Sequence, residues 1–190
     1  FCATGKMDRI RNLEFDEIYD QVAILNEYCE KHFGQKLTNI VFMGMGEPLL
    51  NYKNVLKSID RITATDAMAM SPKRITVSTA GVAKMIRQLG DDKVRFNLAL
   101  SLHAATDKKR DEIMPINESN HIDVLIDALN YFYQLTKNDI TLEYILFKDK
   151  NDSIEDAEQL IKVYRKIPTH LINVIEYNPV AGVPFVKPNE

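Results

Sequence analysis

The chain alternates between two side-chain periods, and this alternation constrains its fold more than any other feature. Short apolar runs rich in β-branched residues are separated by longer stretches whose apolar residues recur three and four apart. The first pattern suits a buried strand and the second an amphipathic helix. Residues 39–43, 74–77, 96–100, 140–147 and 171–177 read as strands. Residues 15–32 read as a helix with Gly34 beyond its end, Val55, Ile59 and Ile62 mark another, and Val82 to Leu89 a short one closed by Gly90. Residues 124–135 are helical, and Ser153 with Asp156 opens a further helix as a capping box. Strands alternating with helices require right-handed crossovers and a parallel sheet covered by helices, the α/β class. An open doubly wound sheet and a partial (β/α) barrel both satisfy the pattern, and periodicity does not choose between them.

Composition narrows the functional classes. The 190 residues are 45% hydrophobic, enough for one domain spanning 1–190 with a real core, and no linker interrupts them until Val180, where Pro and Gly thicken and regular structure fades. No apolar run approaches the roughly 18 residues of a membrane span, so no membrane association is expected. With 24 Lys and Arg against 27 Asp and Glu, a net charge of -3, the chain is not a basic nucleic-acid binder in bulk. The 2 cysteines, at positions 2 and 29, make no disulfide framework, which fits a reduced, cytoplasmic chain. Cys29 follows Ile18, Val22 and Leu25 at helical spacing and is expected in the core.

In both candidate architectures ligands bind at the carboxyl ends of the parallel strands. The residues there are Gly44-Met45-Gly46-Glu47-Pro48, Ser78-Thr79-Ala80-Gly81, Ser101-Leu102-His103, 148–152 and Asn178-Pro179. Nearly all are small or polar, and five such loops on one rim suit a polar ligand. Each also has a plain structural reading. GMGEP is a competent turn, Ser78 could cap the next helix, His103 could be a satisfied loop histidine, Asn178 is a common turn residue, and Lys108-Lys109-Arg110 suits a solvated face. No Ser-His-Asp arrangement, zinc spacing or phosphate-binding loop is present.

Taken together and in order, FCATG, VFMGMGEPLLNY, RITVSTAGV, LALSLHAATDKKRDEIMPIN, LEYILFKDKND and YNPVAG resemble the radical S-adenosylmethionine (radical-SAM) methyltransferases of the RlmN/Cfr type, across essentially the whole chain. Pro48 after GMGE is closer to the RlmN branch. The resemblance implies a partial (β/α) barrel of the radical-SAM type, with parallel strands and outer helices. It implies a [4Fe–4S] cluster on three cysteines spaced C-x3-C-x2-C, with SAM on the fourth iron. It implies a monomeric cytoplasmic enzyme that methylates C2 of an adenosine in 23S rRNA and in some tRNAs, through a methylcysteine intermediate. C8 methylation is the neighbouring alternative; a non-radical barrel enzyme and a non-catalytic RNA-binding module are the more distant ones.

Carried over by position, the resemblance makes Cys2 the third cluster ligand. It makes Gly46, Glu47, Ser78, Ser101, Leu102, His103 and Asn178 the SAM-binding residues. The other two cluster cysteines and the methyl-carrying cysteine are not among the 190 residues. The expectation is therefore an internal piece of such an enzyme, carrying no catalytic residue and inactive alone. The resemblance assigns no role to Met45 or Arg110.

Overall fold

The structure is a computed structural model describing residues 2–169 and 171–188. Five strands, β1 (Ile40–Phe42), β2 (Ile75–Thr79), β3 (Asn97–Ser101), β4 (Ile140–Leu146) and β5 (Leu171–Glu176), lie side by side in chain order, and every pairing is parallel. This order resolves the choice that periodicity left open. A doubly wound sheet must reverse its strand order at a switch point. Here each strand pairs with the next, so right-handed crossovers stack every connection on one face, and the twisted sheet curls into a half-barrel.

The helices are α1 (Phe15–Phe33), α2 (Tyr52–Thr63), α3 (Ala83–Asp91), α4 (Asp107–Ile113), α5 (Ile122–Thr136) and α6 (Ile154–Tyr164). The Ser153–Asp156 capping box forms as expected: the Ser153 hydroxyl accepts from the Asp156 amide, and the Asp156 carboxylate accepts from the Ser153 amide.

Strand side chains alternate between the two faces, so the register assigns each one. Ile75, Val77, Leu98, Leu100, Ile140, Leu142 and Tyr144 point outward and join Ile59, Ile62, Ile86, Leu89, Leu125, Leu129 and Phe132 from the helices in one core. Thr76, Ser78, Asn97, Ser101, Thr141, Glu143 and Asn173 share the concave face. The core thus lies between sheet and helices, and the hollow is lined by these polar groups together with Val41, Ala99, Ile145, Leu171 and Ile175.

Two expectations fail on the outer shell. Helix α1 contributes no fully buried residue: its Ile18, Tyr19 and Val22 pack only partly against the core, Leu25 is exposed, and Cys29 is half-buried. The charged run 108–110 is only partly a solvated face: Lys108 is exposed and Lys109 half-buried, but α4 turns Arg110 completely inward.

Because the two faces of the sheet do different work, truncating them should have unequal effects. Leu98→Ala should cost about 2–5 kcal/mol through transfer and cavity terms. Thr76→Ala, on the concave face, should cost under about 0.5 kcal/mol. Denaturant unfolding measures both.

Candidate cofactor-binding rim

Parallel strands that end together leave backbone groups unpaired where their loops diverge, and those groups need partners. At this rim one side chain bridges each of the first three neighbouring pairs of strands. Glu47 joins the loops after β1 and β2. One of its carboxylate oxygens accepts from the Leu49 amide at 3.0 Å and the other from the Ala80 amide at 2.7 Å. Gly46 makes the turn into this residue with φ of +87°, a conformation that costs other residues strain. Burial holds the Glu47 carboxyl above the usual carboxylate range, opposed by the Ala80 and Leu49 amides and the Thr79 hydroxyl.

Arg110 joins the ends of β2 and β3. Its Nη2 donates to the carbonyls of Ala80 (2.6 Å) and Ser101 (3.2 Å), and its Nε to the carbonyl of Leu102 (3.1 Å). Its Nη1 donates to Asn117 Oδ1 at 2.7 Å, and the Asn117 amide nitrogen donates onward to Asp111 and Asp107. The guanidinium is wholly buried, and burial pushes its pKa down to about 10, so it stays charged at neutral pH. Gly81 lies against it: with φ of +107°, an added Cβ would stand 3.2 Å from Nη2 and 3.1 Å from Leu125.

Asn151, in the loop after β4, joins β3 and β4. Its side-chain nitrogen donates to the carbonyls of His103 and Ile145, both at 2.7 Å, and its Oδ1 accepts from the Phe147 amide at 2.7 Å. His103 itself sits at φ of +56°, uncommon for a residue with a side chain. Its Nδ1 accepts from the Ile145 amide at 3.2 Å, which places the proton on Nε2. Burial first and the Arg110 charge second push its pKa down to about 3, so the imidazole is neutral.

The expected site residues divide into groups. Ser78 and Ser101 are half-buried on the concave face with hydroxyls 3.4 Å apart. Ser78 does not cap the next helix; Thr79 instead takes the local turn bond, from the Gly81 amide. Leu102 lies at the rim through its backbone, while its side chain joins the core. Asn178 is exposed in the segment after β5. Cys2 is exposed and lines a cleft of about 490 Å³ with Ala80, Met114, Pro115, Gly182 and Phe185, on the side of the rim that Ala80 belongs to. Met45 is exposed. Arg110, Asn117 and Asn151 carry the rim's geometry; the sequence singled out Arg110 as a motif residue without a role, placed Asn151 only within the rim loop 148–152, and showed Asn117 only as the end of a motif. Among the described residues no three His, Cys, Asp or Glu side chains group to hold a metal. No described helix is long and apolar enough to cross a membrane.

No protein-family model matches the chain. Curated relatives do. The chain is 56% identical over 98% of its length to the "Probable dual-specificity RNA methyltransferase RlmN" of Cytophaga hutchinsonii, of which it covers 51%. It is 40% identical over its whole length to the "Dual-specificity RNA methyltransferase RlmN" of Nautilia profundicola, covering 53% of it. Among solved structures, a radical SAM methyltransferase from Sphaerobacter thermophilus superposes with a TM-score of 0.94 at 37% identity, over all of this chain and 55% of that one. Streptococcus suis SuiB bound to S-adenosylmethionine shares the fold, with a TM-score of 0.63 at 15% identity over 93% of this chain and 37% of that one.

Five parallel strands in chain order, outer helices and a polar rim define a half-barrel of the radical-SAM type. Within that class the chain is RlmN-like throughout, and it spans about half the length of the relatives it matches.

Two outcomes test the rim. Arg110→Met should destabilise the protein by about 3–5 kcal/mol, because several buried carbonyls lose a charged donor. Arg110→Lys should recover less than half of that, since an ammonium cannot reproduce the planar fork; denaturant unfolding reads both. For His103 the folded pKa lies below the unfolded value near 6.5, so the unfolded state binds the proton first. Stability is therefore full above about pH 6.5 and falls with acidification, by about 2 kcal/mol at pH 5. His103→Asn, which tolerates the left-handed backbone, should flatten that slope in a pH series of unfolding curves.

Proposed function

We propose that this chain is the SAM-binding half-barrel of a radical-SAM RNA methyltransferase of the RlmN kind, which methylates C2 of an adenosine in 23S rRNA and tRNA in the cytoplasm, as a monomer. The observation that carries the reading is the gathering of Glu47, Ser78 and Ser101 along one rim of a fold that matches a radical SAM methyltransferase over its whole length.

The residues present fit SAM. Glu47 offers acceptor lone pairs to an ammonium while its two amide bonds fix the carboxylate in place. Gly46 leaves open space on its Cβ side, so backbone can approach a ligand closely. Ser78 and Ser101 present hydroxyls that both donate and accept. Asn178 extends the rim beyond β5, and the Leu102 and His103 backbone forms its floor, pinned by Arg110 and Asn151. Bound there, SAM would supply both the transferred methyl and, by reductive cleavage, the hydrogen-abstracting radical.

The described residues do not by themselves fit an iron–sulfur cluster. They offer one accessible thiol at the rim, Cys2, where a [4Fe–4S] cluster takes three or four soft thiolates. On this reading Cys2 would supply one thiolate, and the others would come from outside these residues.

The experiment is an anaerobic assay of the full-length protein, reconstituted with iron and sulfide, on ribosomal RNA and tRNA with SAM and a reductant. Digested product should contain 2-methyladenosine. Exclusive 8-methyladenosine would move the reaction to the neighbouring carbon, and no methylation with a loaded cluster would overturn the reading. Glu47→Gln should weaken SAM binding by at least about tenfold, the loss expected for one charge-assisted hydrogen bond, measured by equilibrium dialysis.

A further inference from the structure

The concave face carries a polar row that continues past the two serines. Ser101 is in register with Glu143 on β4, and Glu143 with Asn173 on β5. In-register residues on adjacent strands sit roughly 4.8 Å apart and face the same way. The row Ser101, Glu143, Asn173 therefore crosses three strands at one level, and Ser78, in register with Ala99 one step back, reaches its end through a hydroxyl 3.4 Å from that of Ser101.

Glu143 is the unusual member. It is only 5% exposed, although it points into the hollow rather than the core. Its one side-chain partner among the described residues is Asn173, whose amide nitrogen donates to Oε2 at 2.9 Å. No described cation pairs with it. Burial holds its carboxyl above the usual range, and only the Asn173 bond opposes this. A buried carboxylate with one neutral donor carries an uncompensated desolvation cost, and such groups need a reason. Asn173 in turn fixes the carboxylate plane and leaves Oε1 for another donor.

We propose that Glu143, oriented by Asn173, binds a nucleoside: it accepts from the amino or hydroxyl donors of an adenosine lying against the concave face. Carboxylates suit a vicinal diol or an exocyclic amine, because both offer paired donors and no charge to repel. The inference rests on the methyltransferase reading, which supplies two sources of that chemistry: the adenosine of SAM and the target adenosine of RNA.

The test uses the full-length protein and four probes: SAM, 5′-deoxyadenosine, methionine and an RNA hairpin bearing the target adenosine. Glu143→Gln keeps the volume and replaces an acceptor with a donor. Weakening of 5′-deoxyadenosine and SAM by about tenfold or more, with methionine unchanged, assigns Glu143 to the SAM adenosine. Weakening of the RNA alone assigns it to the target adenosine. A purely structural residue would shift methionine together with the nucleosides, or shift none of them, and either pattern overturns the proposal. Should Glu143→Gln fail to fold, Asn173→Leu, which frees the carboxylate without removing it, is read by the same panel and the same criteria. Wild-type protein that binds neither SAM nor RNA would overturn the methyltransferase reading first, and this assignment with it.

Discussion

One buried guanidinium holds the business end of this half-barrel together. Where β2 and β3 stop, the carbonyls of Ala80, Ser101 and Leu102 have no strand partner, and Arg110 satisfies all three from α4. A neutral donor could serve one of them; a planar fork of five N–H groups can serve several. The desolvation cost of burying that charge is offset by carbonyl dipoles and by the relay through Asn117 to Asp107 and Asp111. Ala80 is the hinge of the arrangement: its carbonyl accepts from Arg110 while its amide donates to Glu47. Arg110 thus steadies the loop that Glu47 also holds and the end of β3 at Ser101, and the same charge helps keep His103 neutral.

The sheet divides its labour by face. Its convex side supplies the apolar residues that meet the helices, so stability is generated away from the hollow. That leaves the concave side free to carry Thr, Ser, Asn and Glu, which would weaken a core. Side-chain ties at the rim then replace the backbone pairing that diverging loops cannot provide, through Glu47, Arg110 and Asn151 in turn.

Much of this was legible in the sequence, because alternating periods report burial directly. Strand ends were less so. Residues 78 and 101 read as loop, yet β2 runs to Thr79 and β3 to Ser101, since backbone pairing extends past the apolar residues that reveal a strand. Arg110 was hidden because α4 is a short, charged helix and charge in a sequence signals solvent. Glu143 was hidden inside the apolar string LEYIL, where a buried strand looks uniform although its residues alternate between core and hollow. Cys29 misled in the other direction: helical spacing marks a face but not what covers it, and α1 is only half covered.

The Glu47 carboxylate is tied to two amides from different loops, and it is also the acceptor suited to a ligand ammonium. On the proposed reading, cofactor capture and loop ordering would draw on the same lone pairs. A ligand ammonium seated there would add a third donor to the two amides. On that reading the Ala80 and Leu49 amides would serve as a built-in gauge of occupancy, their hydrogen-exchange rates reporting from the protein backbone whether the hollow is filled.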